Sequence, residues 1–274
     1  MNVIIANSEQ EMMERAKSLV LHRLSRTPDC TIGLGTDPVL LRLYRALAKQ
    51  FAEAKAPMQR VRAFCAQEWI GKANSDPDSE QALLRSQFLD LISIHPRCCF
   101  TPSCEVTESP HDAAARYETM LDKQGGINLQ ILSLSSDGGF QGNAPGSSFS
   151  STTRAVYDSH NDAHKISLGL RTIRQSRQIM LLVTGSEKAS AVKAMLENPV
   201  STGVPATSLH FHPNTTVILD RSAAYQLENP EKFKKSFHGR MHLVRSAETS
   251  KASIRRLELM DFTRDKKPAS SIVE

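Results

Sequence analysis

The sequence predicts a doubly wound α/β fold: a mostly parallel sheet with helices on both faces, in three layers. Three observations carry this. Short strand signals alternate with helical ones from the first residues onward. The runs "INLQILSL" (127–134) and "QIMLLVT" (178–184) are almost continuously apolar, as strands covered by helices on both sides must be. Glycine-containing turns stand where strands end and helices begin, as βαβ units require.

In chain order, "NVIIA" (2–6) reads as a strand. Ser8 and Glu11 form a capping box for a helix whose apolar positions are Met12, Ala16, Leu19, Val20 and Leu24. "CTIGLG" (30–35) is a second strand. Pro38 suits the first turn of the helix "PVLLRLYRALAKQFAEA". A third strand is expected over 58–66, helices over 79–92 and 111–123, and strands over 127–134 and 178–184. "GSEKASAVKAML" turns straight into a helix. "TTVILD" (215–220) and "MHLVR" (241–245) close the series.

At 274 residues with 40% hydrophobic content, the chain is long enough for one large domain with an appendage. The expected division is an α/β domain over 1–245 and a basic tail over 246–274. Its net charge of +5 is uneven. From Arg221 onward there are twelve Lys/Arg against seven Asp/Glu, and the preceding residues balance. A basic end is compatible with an acidic partner or nucleic acid. With few aromatics and no zinc-finger or basic-zipper pattern, it is read as a solvated tail, and nucleic acid is disfavoured. No apolar run reaches the roughly 18–20 residues of a membrane helix, and the N-terminus lacks an export pattern. Five cysteines without a C-x-x-C read as reduced thiols. The expected location is cytoplasmic, with no membrane partner and no cofactor; homo-oligomerisation stays open.

Four strand-end turns can carry chemistry: "GLGTDP" (33–38), "AFCAQEWIG" (63–71), "SLSSDGGFQGN" (133–143) and "TGSEK" (184–188). In this order, followed by "PVSTGVPATSLHFHPNTTVILD" with Leu209, His212 and Pro213, they give a chain that resembles the glucosamine-6-phosphate deaminases and galactosamine-6-phosphate isomerases, relatives of the 6-phosphogluconolactonases. The resemblance spans about residues 1–225. It implies the sugar-phosphate isomerase fold and a small sugar phosphate as partner.

The resemblance also implies a chemistry: ring opening, then proton movement between C2 and C1. Its general-base carboxylate falls at Gln67 of the pair Gln67-Glu68, and glutamine accepts no proton near neutral pH. Its ring-opening histidine falls at Gly139, and the carboxylate orienting that histidine at Ala144. Asp137, Gly138, Asn143 and Pro145 are kept. For phosphate, the resemblance implies Lys188 together with backbone N–H groups of Gly35 and Thr36. Asp37 stands where a small or hydroxylic residue is usual, and its charge opposes a phosphate dianion. The stretch from Arg154 to Lys165 is short, implying loss of a lid arginine, with Arg154 and Lys165 as substitutes. His160 and His164 share that stretch. His210 and His212 alternate as on a strand edge, His212 with a structural hydrogen bond.

Two functions follow: a catalytically degenerate homologue that keeps a sugar-phosphate site for regulation or assembly, or a working amino-sugar-phosphate isomerase/deaminase or 6-phosphogluconolactonase-like enzyme with a shifted site built on Glu68, Asp137 and His160 or His164.

Overall fold

The fully apolar strand interiors dictate the architecture. In the computed structural model, which describes residues 1–54, 58, 60–73, 75–158 and 161–234, these runs become the centre of a seven-stranded parallel sheet. The strands are β1 (Asn2–Ile5), β2 (Thr31–Leu34), β3 (Arg62–Cys65), β5 (Cys99–Phe100), β6 (Leu129–Ser133), β9 (Ile179–Val183) and β10 (Thr215–Leu219), in the order β1-β10-β9-β6-β2-β3-β5. Alternate side chains of one strand enter opposite layers: Met180 and Leu182 on one face, Ile179, Leu181 and Val183 on the other. The expected doubly wound α/β fold is present.

On the first face lie α1 (Glu9–Arg26), α2 (Pro38–Ala54) and α3 (Glu80–Leu84), which bring Leu24, Leu43, Tyr44 and Leu84 against Ile32 and Leu34. The second face is covered by α4 (Pro110–Lys123), α5 (Leu170–Arg174), α6 (Ala189–Glu197) and α7 (Arg221–Ala224), and α8 (Pro230–Lys234) follows. Ser8 caps α1 by accepting the Glu11 N–H at 3.2 Å. The Glu11 carboxylate returns to the N–H of Asn7 at 2.9 Å, one residue earlier than a standard capping box places it.

The helix expected over 79–92 is shorter. After α3 the chain widens into a π-helical turn at Arg85–Leu89, which buries the adjacent side chains of Phe88 and Leu89 together. Phe88 stacks on Tyr44 with ring centroids 5.1 Å apart.

A second, antiparallel sheet joins β4 (Gln67–Trp69), β7 (Arg154–Asp158) and β8 (Ala163–Ser167) in the order β4-β8-β7. The short stretch, expected to have dropped a lid, forms two paired antiparallel strands, β7 and β8. It is anchored by the pairings Trp69↔Lys165 and Val156↔Lys165. The strand expected at 241–245, the tail from 246 and His160 lie outside the described residues.

The sheet changes direction of travel between β6 and β2. The chain runs outward through β2, β3 and β5 on one side and through β6, β9 and β10 on the other. Parallel sheets leave a crevice beyond the carboxyl ends of the strands at such a point.

Candidate functional site at the switch point

A cleft of about 560 Å³ opens at that crevice. Its floor comes from the turns after β2 and β6, with Thr36, Asp37, Ser133 and Asp137, and one wall from β7 and β8, with Val156, Tyr157, Asp158 and Lys165. Gln67, Gly139 and Ala144 also line it; Glu68 does not.

The sequence explains why Glu68 is withdrawn. Its side chain alternates on β4 with those of Gln67 and Trp69, and it is 0% exposed. One carboxylate oxygen accepts the N–H groups of Trp69 at 2.8 Å and Glu80 at 2.9 Å, and the other accepts that of Gln81 at 2.9 Å. Glu68 thus caps α3 across chain segments. Burial pushes its pKa up, against the pull of these backbone donors.

A carboxylate that the sequence reading missed takes the cleft position. Glu80 opens α3, and its Oε1 accepts from Gln67 Nε2 at 2.7 Å and pairs with Lys165 Nζ at 3.1 Å. Lys165 also meets Asp158 Oδ2 at 3.2 Å and lies 3.7 Å from the centroid of the Trp69 ring. No local motif marks Glu80 beyond its place after the helix-capping Ser79.

The turn after β6 is held in shape by its own backbone. Asp137 Oδ1 accepts the Gly139 N–H at 2.8 Å. A Cβ on Gly139 would lie 2.6 Å from the carbonyl oxygen of Asn143. Buried Asn143 donates through Nδ2 to the carbonyls of Phe140, Gln141 and Leu168, and its Oδ1 accepts from Arg154 at 3.0 Å. Arg154 also reaches Ser147 Oγ, and burial lowers its pKa. Both candidate substitutes for a lid arginine, Arg154 and Lys165, therefore have protein partners.

The three residues expected at phosphate come together beside the cleft, and two of them, Lys188 and Gly35, are engaged by the protein. Lys188 Nζ lies 3.5 Å from Asp37 Oδ2 and donates to Ser133 Oγ at 3.3 Å. Asp37 Oδ1 accepts the Val39 N–H at 3.0 Å, in the first turn of α2. The Gly35 N–H donates to the Ile131 carbonyl at 3.3 Å. Gln141 Nε2 sits 2.2 Å from where a Cβ on Gly35 would be, so only glycine admits this amide. Thr36 lines the cleft beside them.

The histidines lie elsewhere. His164 is exposed on β8, 5.2 Å from Tyr157 between ring centroids. His210 belongs to a 3-10 segment, Pro205–Phe211, instead of a strand edge. Buried His212 bonds Thr215 Oγ1 at 3.0 Å through Nδ1 and donates through Nε2 to the Ser176 carbonyl at 2.7 Å. Among the described residues, no group of three or more His, Cys, Asp or Glu is arranged to hold a metal ion. No described helix is long and apolar enough to cross a membrane.

Residues 7–218 match the family model of glucosamine-6-phosphate isomerases/6-phosphogluconolactonase. The chain belongs to this family. A glucosamine-6-phosphate deaminase of Hahella chejuensis is 34% identical over 243 residues, covering 83% of this chain and 92% of the relative. One from Pseudarthrobacter chlorophenolicus is 32% identical over 252 residues, covering 86% and 96%. Among solved structures, a monomeric glucosamine-6-phosphate deaminase superposes with a TM-score of 0.78 at 27% identity, covering 82% of this chain and 99% of that one. The 6-phosphogluconolactonase of Trypanosoma brucei shares the fold, with a TM-score of 0.68 at 20% identity and coverage of 82% and 98%.

Proposed function

We propose that this family member has lost the aldose–ketose proton transfer and serves as a ligand-binding protein, with a regulatory or assembly role. The observation that carries this is the exchange at β4. Glutamine faces the cleft, whereas the neighbouring carboxylate of Glu68 is sealed under three backbone N–H groups. Gly139 offers no imidazole for ring opening, and Ala144 no carboxylate to orient one. Removing one positioned acid or base costs about 10²–10⁴ in rate, and here three roles are unfilled. Gly35, Thr36 and Lys188 outline what remains of the anchor for a sugar phosphate.

One observation favours a second reading. Glu80 places a carboxylate 2.7 Å from the Gln67 amide, within the cleft, where it can take the role of a displaced base beside Asp137. The experiment is a turnover assay of purified protein with glucosamine-6-phosphate and galactosamine-6-phosphate, read as ammonia release and ketose formation. No turnover is expected. Turnover at an ordinary enzymatic rate that Glu80→Gln abolishes would establish the shifted-site enzyme instead.

A further inference from the structure

The family resemblance brings a phosphate to the end of the cleft where α2 begins. In this chain that place is filled by the protein itself. The cation is Lys188, and its counter-ion is Asp37 at 3.5 Å. The same carboxylate satisfies the Val39 N–H in the first turn of α2. An incoming phosphate would need these two donors, at the site where helix N–H groups favour an anion.

A second, independent occupant stands beside it. The Gln141 side chain lies over Gly35, and the Gly35 N–H is already given to Ile131. Gln141 holds φ +47 to place itself there, in the left-handed region that favours glycine. Its Oε1 is buried without a hydrogen-bond partner.

Among the other described lining residues, Glu80, Asp137 and Asp158 stand against Lys165, while Lys188 is taken up by Asp37. Lys165 is itself held between Glu80 and Asp158.

We infer that Asp37 acts as a built-in substitute for the ligand phosphate, so that this cleft selects an unphosphorylated sugar or amino sugar. Asp37 is then the specificity-determining residue. This rests on the cleft being a ligand site, and not on whether that ligand is turned over.

The test is titration calorimetry with glucosamine, glucosamine-6-phosphate and inorganic phosphate. The proteins are wild type, Asp37→Ser and Asp37→Ser with Lys188→Ala. Serine is as good an N-cap as aspartate, so Asp37→Ser keeps the Val39 contact while removing the charge; a melting curve verifies the fold. Wild type is expected to bind glucosamine, and at least as tightly as glucosamine-6-phosphate; a wild type that binds no glucosamine overturns the inference. Asp37→Ser should bind glucosamine-6-phosphate at least about tenfold tighter than wild type, since a like charge a few ångströms from the dianion is removed. The added Lys188→Ala should cancel that gain. Wild type binding glucosamine-6-phosphate more than about tenfold tighter than glucosamine would overturn the inference. So would a folded Asp37→Ser that gains nothing for either phosphate probe. Turnover would count against the loss of catalysis proposed above and leave these binding ratios to decide this point separately.

Discussion

Glu68→Gln separates a structural carboxylate from a catalytic one. The wild-type side chain receives three backbone N–H groups, two on Oε1 and one on Oε2. Glutamine keeps a single acceptor oxygen, which can serve Trp69 and Glu80. Its NH₂ group then faces the Gln81 N–H, donor against donor, in a fully buried place. One buried donor left unsatisfied costs roughly 1–3 kcal/mol. At about 2–4 °C per kcal/mol for a chain of this size, melting falls by roughly 2–12 °C. The lower end applies where a neutral amide relieves the burial of charge.

The pH dependence has a definite sign. Burial raises the Glu68 pKa, so the folded protein holds that proton more strongly than the unfolded chain does. The resulting contribution is full below the ordinary carboxylate value and is lost as pH rises through the folded value. The gap between wild type and variant therefore narrows from acid pH toward neutrality. Melting curves across that range, with native-state hydrogen exchange at the amides of residues 80 and 81, measure both effects. A variant that melts with wild type and exchanges those amides no faster would refute the capping role.

Gly139→Ala should lower stability by about 1–3 kcal/mol, because the new methyl carbon meets the Asn143 carbonyl oxygen at 2.6 Å and the loop must shift. Gly139→His should fare no better and yield no turnover, as thermal melts and ammonia release will show; a stable, active variant contradicts both. Deleting residues from about Thr249 onward should leave the melting temperature unchanged, since the family match ends at residue 218. Insoluble or unfolded truncated protein would show that the tail belongs to the domain.

Much of the parallel sheet was legible because its inner strands are apolar on both faces, and β6, β9 and β10 lie within the runs that announced them. The small antiparallel sheet was not. "RAVYD" and "AHKIS" mix polar and apolar residues, and their pairing depends on β4, which is far away in sequence. The lining positions Gln67, Asp137, Gly139 and Ala144 were implied by the family resemblance that the strand-end turns carry. Glu80 escaped because it reaches the cleft only through the cap that Glu68 forms on α3, a contact between separate segments. The engagement of Lys188 with Asp37 likewise joins residues 151 positions apart. A charge judged alone in sequence thus acquired its counter-ion only in three dimensions.

Asn143 has a consequence for the cost of binding. Its one side chain ties the turn after β6 to the end of β8 through Leu168 and to the start of β7 through Arg154. Floor and wall of the cleft are joined into a single unit before any ligand arrives. Immobilising a loosely held loop consumes affinity, and a mouth already fixed avoids that loss. Whatever the cleft takes, less of the contact energy then goes into ordering its mouth.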